Sequence, residues 1–208
     1  MQMPRCFYSS GAFILKRAYY IFMNTTIPDK AGCCELMERY HMPQHIREHC
    51  TVVCQVALAL AKELNASGEI LNLDAIEAAA LLHDITKSNS IHTKENHAET
   101  AARLLHSLGY ARIAAIVNAH VSLPLIDNSG GVTEEEVVNY ADKRVQHTAV
   151  VSLDQRFADL MSRYGRDKKS ANHILQLKAQ TSAIEKKIFP RLHLSPVDLS
   201  MLLEKYSC

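Results

Sequence analysis

The chain has 208 residues, with 23 Lys+Arg against 22 Asp+Glu and a formal charge of +1, a length that suits one well-buried core. So even a balance excludes the global field that draws basic proteins to nucleic acid or to an anionic membrane, and any anionic ligand must be held locally. Hydrophobic residues make up 48% and aromatics 6%, and Ala, Leu, Lys and Glu dominate the middle of the chain, which favours helix over strand.

Near the start, the apolar stretch Ala12-Phe13-Ile14-Leu15-Lys16-Arg17-Ala18-Tyr19-Tyr20-Ile21-Phe22 is split by Lys16-Arg17. A membrane helix needs roughly 20 apolar residues and a secretory core roughly 7 to 15 without charge, so the segment fits neither. The regular helical pattern begins after Met23, and residues 1–28 read as an extension of the fold. Cys6, Cys33, Cys34, Cys50, Cys54 and Cys208 form no disulfide framework and no C-x-x-C pair; reduced thiols in a cytoplasmic protein are expected.

Pro43 opens the first predicted helix, in which Ile46, His49, Cys50, Val53, Ala57, Leu60 and Leu64 recur at spacings of three and four until Gly68 ends it. A second helix is predicted over about Asp74 to Ile85, with Ile76, Ala80 and His83 on one face and Thr86-Lys87-Ser88-Asn89-Ser90 as its breaker. The third, about Glu95 to Leu108, sets His97, Ala101, Leu104, Leu105 and Leu108 in register and closes at Gly109. A short fourth aligns Ile113, Ile116, Val117 and His120, with Pro124 and Gly130-Gly131 in the loop beyond. Thr133 with Glu136 makes a capping-box pattern for the fifth, where Val138, Asp142 and Val145 line up, and Ser152 with Gln155 repeats it for a sixth. After Gly165 a long polar-faced helix is predicted over about Lys168 to Ile188, followed by Pro190 and a last helix opened by Ser195-Pro196. No run of strand periodicity appears, so the prediction is an all-α bundle.

Five successive helical segments carry His49, His83-Asp84, His97, His120 and Asp142 on their inward faces. A lone histidine on an apolar stripe is usually a satisfied core residue, but four of them with two carboxylates would leave a bundle core heavily polar. Coordination to a divalent metal answers the desolvation cost, since imidazole and carboxylate are natural ligands for iron, manganese, zinc or nickel and bundle interiors host dinuclear sites.

The pattern H…HD…D, formed by His49, His83-Asp84 and Asp142, resembles the HD superfamily of metal-dependent phosphohydrolases. His49-Cys50-Thr51-Val52-Val53-Cys54-Gln55-Val56-Ala57 is similar to that family's first helix, and Ala80-Leu81-Leu82-His83-Asp84-Ile85-Thr86-Lys87 to its "AALLHDIGK" core. Tyr140-Ala141-Asp142-Lys143 is similar to the closing "ADK" segment, so the likeness runs from roughly Glu35 to Gly165. The resemblance implies an HD-domain helical bundle over residues 29–165, with residues 166–208 as C-terminal helices that pack on it or extend it. It also implies that His49, His83, Asp84 and Asp142 hold one metal and that a bridging Asp84, His97 and His120 hold a second. The ions implied are one or two of Fe, Mn, Ni, Co or Zn, with Mg as a further candidate. Thr86 stands where the motif usually has Gly, and Ala119-His120 where some branches have His-His. Asp142-Lys143-Arg144-Val145, continued by Val151-Ser152-Leu153-Asp154-Gln155-Arg156-Phe157, is similar to a narrower group in which the HD domain stands alone or joins a nucleotidyltransferase of the molybdenum-cofactor type.

Two cations about 3.5–4 Å apart lower the pKa of a water between them and neutralise a phosphoryl group during in-line attack. The expected activity is therefore hydrolysis of a phosphate ester or anhydride in a nucleotide or similar small substrate, with Asp84 and Lys87 as catalytic residues. Lys87, Lys143 and Arg144 are the expected phosphate-binding residues, with Arg156 as a further candidate; the ordinary alternative for Lys87 is a surface lysine complementing a helix C-terminus. No nucleic acid or membrane partner is expected, and a homodimer is compatible with the sequence. A di-iron oxygenase in the same fold and a non-catalytic nucleotide- or partner-binding module are the alternative functions. His45-Ile46-Arg47-Glu48-His49 also fits the H-x-x-E-H of one class of zinc peptidases, a reading that leaves the other ligand candidates unexplained. His41, His92, His106, His147, His173 and His193 read as solvent-facing or outer-sphere residues, with His92 a candidate lid residue or substitute for His97. Lys168-Lys169 and Lys186-Lys187 read as solvated helix faces.

Overall fold

A computed structural model of the chain describes residues 26–123 and 130–206. The expectations for residues 1–22, Cys6, Pro124, Cys208 and the side chain of His92 lie outside the described residues. Helix α1 (Lys30–Arg39) is capped by the Asp29 carboxylate on the Gly32 N–H and buries Cys33, Leu36 and Met37. Its apolar stripe is one turn long, too short to declare itself as a period. Helix α2 (Gln44–Ala66) follows Pro43 and buries eleven side chains, among them Ile46, His49, Cys50, Val53, Ala57, Leu60 and Leu64. Gly68, at φ +102°, supplies the left-handed turn that ends it.

Helix α3 (Leu73–Leu82), capped by Asn72 on the Ala75 N–H, is apolar on nearly every face and runs through the centre of the bundle. It stops three residues short of the predicted end. His83 is its C-cap, Asp84 and Ile85 lie in the turn beyond, and Thr86 caps a second short helix, α4 (Lys87–Thr93). The predicted breaker is therefore itself helical: its Ser and Asn side chains sit at a new helix start, where they favour the turn, and the pattern of polar residues had no apolar stripe to announce it. Lys87 opens α4; it does not close α3.

Helices α5 (His97–Ser107) and α6 (Ala111–Ala119) form an antiparallel pair joined through Gly109 at φ +89°. Helix α7 (Glu134–Lys143) carries both halves of the predicted capping box, Thr133 with Glu136, and α8 (Leu153–Tyr164) both halves of the second, Ser152 with Gln155. Between them lies a small antiparallel hairpin, β1 (Val145–Gln146) with β2 (Ala149–Val150), paired Val145 to Val150. Strands of two residues cannot show a period of two, so the hairpin left no trace in the pattern. Helix α9 (Lys168–Ile188) follows an Asp167 cap, and two 3-10 turns (Phe189–Arg191 and Pro196–Asp198) lead to α10 (Leu199–Tyr206).

The core is α2, α3, α6 and α7 packed on one another, with Leu60, Leu64, Ile76, Leu82, Ile113, Ile116 and Tyr140 fully buried. Each such aliphatic side chain contributes about 1.5–3 kcal/mol by leaving water. Ile184, Ile188 and Leu199 extend this core into the C-terminal helices. Polar ties hold them there: Lys187 Nζ to both oxygens of Glu136 (2.8 and 2.9 Å), Arg191 Nε to Glu69 (2.8 Å) and Tyr140 Oη to Glu185 (2.6 Å). Of the cysteines, Cys33, Cys50 and Cys54 are buried and Cys34 is exposed, and all four are free thiols. Among the described residues no helix is long and apolar enough to cross a membrane.

Candidate metal centre

Four of the six ligand candidates sit at helix ends, and this determines how they point. The last carbonyls of a helix have no amide partner of their own. His83, just past α3, donates its Nδ1–H to Ala80 O at 2.8 Å, and His120, just past α6, donates to Val117 O at 2.6 Å. A terminal carbonyl thus takes the ring proton and leaves Nε2 directed inward, the arrangement that prepares an imidazole for a metal. His49 lies inside α2, where every carbonyl is engaged, and its Nδ1 reaches the His147 carbonyl at 2.8 Å instead. His147 is at the hairpin tip with φ +56°, a left-handed conformation that turns its carbonyl toward α2. His97 is the first residue of α5, and Asp142 is near the end of α7.

These side chains converge. His49 Nε2 lies 3.1 Å from Asp142 Oδ1, and His83 Nε2 lies 3.6 Å from the same oxygen and 3.4 Å from Asp84 Oδ2. Asp84 Oδ1 faces His97 Nε2 at 3.5 Å and His120 Nε2 at 3.8 Å. The rings of His49, His83, His120 and His97 form an unbroken run with centroids 5.5, 4.9 and 5.1 Å apart. Two compact donor groups result, His49/His83/Asp142 and Asp84/His97/His120, each with its ligand atoms within 4.8 Å of one another. They meet at the His83-Asp84 pair.

The residues fit a divalent cation. Among the described residues, His83 Nε2 and Asp84 Oδ1 are buried without a hydrogen-bond partner, a state that costs each group its lost hydration. Two further groups are poised electrostatically. Burial, then His83, pushes His120 down to about 3, and burial lowers His97 as well, so both rings are neutral, and their Nε2 atoms face each other at 3.2 Å. For the acids, burial acts to raise both, but His83 and Lys87 hold Asp84 well below the carboxylate range, and Lys143, His49 and His83 do the same for Asp142.

Several expectations need correction. Lys87 is not a surface lysine at a helix C-terminus; its ammonium lies 2.6 Å from Asp84 Oδ2. Lys143 is buried, and its ammonium bonds Asp142 Oδ2 at 2.7 Å and His120 O at 3.0 Å, so it supports two of the ligand candidates. Arg144 turns to the other side of α7, donating to Val151 O at 2.7 Å, to Pro196 O at 2.8 Å and to the Tyr140 hydroxyl. Arg156 pairs with Asp159 on its own helix at 3.7 Å. His45 and Glu48 are exposed and Glu48 accepts from Gln44, so the peptidase-like spacing assembles nothing. His147 is exposed, and its carbonyl is an outer-sphere partner of His49, in line with the expectation for it.

Two further residues contribute to the centre. Cys50 Sγ lies 3.7 Å from His83 Nδ1, and with His83 and Asp84 it makes a third donor group; its place beside His49 on the apolar stripe of α2 was the available signal. Asn139 donates to both Ala119 O and His120 O and so fixes the end of α6 that carries His120. A polar side chain at a buried register of α7 was the only hint of it.

Comparison with known proteins supports the same picture. An HD domain profile matches residues 46–168, over half of the chain and inclusive of all six ligand candidates. A tRNA (cytidine(56)-2'-O)-methyltransferase of Thermoplasma volcanium is 30% identical over 142 residues, which are 64% of this chain and 37% of that protein. An uncharacterized protein of Methanocaldococcus jannaschii is 27% identical over 147 residues, 64% of this chain and 86% of that protein. The chain thus spans little more than a third of the methyltransferase and most of the second relative. No solved structure matches it. With the HD profile spanning the converging histidines and aspartates, the chain belongs to the HD domain family of metal-dependent phosphohydrolases.

Proposed function

We propose that the protein is a metal-dependent phosphohydrolase acting on a nucleotide or similar small phosphorylated substrate, with one or two divalent ions held by His49, His83, Asp84, His97, His120 and Asp142. The observation that carries this reading is the pair of adjacent His₂Asp groups joined through Asp84. When bound, such ions supply Lewis-acid activation of a phosphoryl group and a nucleophile at neutral pH. The chain's own residues do the rest. Asp84 offers one oxygen to each group, and Lys143 and Asn139 hold Asp142 and His120 in place.

His97 and Lys87, with 29% and 39% of their side chains exposed, mark the open side of an otherwise buried cluster. A phosphate would enter there, and Lys87 would meet its oxygens as a point charge. The stretch shared with the methyltransferase covers 37% of that protein, and the residues assembled here are metal donors, so the activity assigned is hydrolysis and not methyl transfer.

Elemental analysis followed by a phosphate-release screen with Mn, Co, Ni and Fe tests the reading. Asp84→Ala should lose bound metal and turnover together; a variant that keeps its metal would remove Asp84 from the ligand set, and metal-loaded protein inert on every phosphorylated substrate would overturn the hydrolase.

A further inference from the structure

We propose that Lys87 is a resident counterion that competes with a divalent metal for one oxygen of Asp84. On this view, filling the His49/His83/Asp142 half of the centre drives the ammonium off the carboxylate, and filling the His97/His120 half does not. The inference rests on the metal-centre reading above.

The two oxygens of Asp84 are differently engaged. Among the described residues Oδ1 has no hydrogen-bond partner, and it faces His97 and His120, so an ion on that side meets an unclaimed donor. Oδ2 is 3.4 Å from His83 Nε2 and 2.6 Å from Lys87 Nζ. The His49 half contains three donors, His49, His83 and Asp142, and Asp84 Oδ2 is the further carboxylate oxygen beside His83. That oxygen is already paired with the Lys87 ammonium, and a dication coming to it meets like-charge repulsion from that ammonium in a buried setting.

The other carboxylate shows why Lys87 is the group that yields. Asp142 Oδ2 is likewise bound by an ammonium, that of Lys143 at 2.7 Å, but Lys143 is buried and also donates to His120 O at 3.0 Å. To leave, it would abandon two bonds with no water to replace them. Lys87 has its ammonium hydrogen bond to Asp84 and 39% of its side chain exposed, so its flexible stem can carry a strongly hydrated charge outward. Each carboxylate carries one ammonium; one of those ammoniums is fixed and the other can move.

The test isolates each half of the centre. Mn²⁺ affinity is measured by chelator competition in His97→Ala, which keeps the His49 half, and in His49→Ala, which keeps the other, each with and without Lys87→Gln. Lys87→Gln should tighten binding about tenfold in the His97→Ala background, the scale on which groups beside a ligand tune metal affinity, and by much less in the His49→Ala background. An equal gain in both, as loss of a nearby charge alone would give, overturns the proposal, and so does no gain in either. A second readout needs no ligand deletion: in the chain with ¹³C-dimethylated lysines, the Lys87 resonance, identified by its loss in Lys87→Gln, should shift as Zn²⁺ fills the centre. A resonance that stays put while Zn²⁺ binds contradicts release. Should the unsubstituted chain bind neither metal, the metal-centre reading itself falls, an outcome distinct from binding that ignores Lys87.

Discussion

Burial by itself would strip the proton from His83, yet Cys50, Asp84 and Asp142 outweigh it and hold the ring's pKa well above 6.5 in the metal-free chain. A raised folded-state pKa stabilises the fold below pH 6.5 and ceases to do so as pH rises through the raised value. A metal needs His83 Nε2 bare, so binding must expel that proton, and affinity should climb with pH through neutrality. His97 and His120, both lowered, add nothing to this dependence near neutral pH. Calorimetry in buffers of different ionisation enthalpy should show a proton released per centre; binding without release would mean that His83 is already neutral. Lys143 offers a second prediction. Lys143→Met strands the buried Asp142 carboxylate, and the metal-free protein should lose about 3–5 kcal/mol in urea unfolding, the cost of breaking a buried pair from one side. Imidazoles and carboxylates on apolar registers were legible as ligand candidates because burial of such groups demands a partner. The roles of Lys143 and Arg144 were not, because neighbours on a helix point about 100° apart and only the tertiary surroundings decide which one faces the centre.

Helix caps were the most legible elements. Thr133 with Glu136 and Ser152 with Gln155 cap the helices that follow them as expected, because a cap is a local bond between residues two or three apart; the Asn72 and Asp167 caps came only with the structure. Helix ends without such a bond leave no local mark in the sequence: α3 ends at Leu82, short of the expected Ile85, and the expected break beyond it is α4. That matters for function, since ending α3 at Leu82 frees Ala80 O to hold the His83 ring. Glu136 serves at two levels, closing the capping box of α7 and pairing with Lys187 of α9. Both charges are buried, so Lys187→Met should cost about 3–5 kcal/mol in denaturant unfolding. A loss under 1 kcal/mol would show that water replaces the lysine and that α9 is held by its apolar face alone.

For the molecule as a whole, the centre joins α2, the α3–α4 turn, α5, the end of α6 and α7, so an ion bound there ties together segments nearly a hundred residues apart, from His49 to Asp142. Metal that binds the folded chain and not the unfolded one should stabilise it by about 2.7 kcal/mol at a hundredfold excess over Kd. For a chain of this size that is a rise in Tm of roughly 5–10 °C. Removing the metal with a chelator should reverse the rise, and Asp84→Ala should show neither change; a shift that survives in Asp84→Ala would place the stabilising ion elsewhere.

By itself the sequence determined the helical class, the two capping boxes and the identity of the six candidate ligands, since all of these follow from local periodicity, from bonds within one turn, and from the cost of burying an unpartnered polar group. Tertiary structure alone decided the rest: that His147 offers His49 its carbonyl, that Lys143 and Asn139 serve the centre from behind while Arg144 turns away, and that Asp84 divides its two oxygens between a free side and an ammonium. Those assignments depend on which distant backbone groups come within hydrogen-bonding reach, and that is set by how the helices pack.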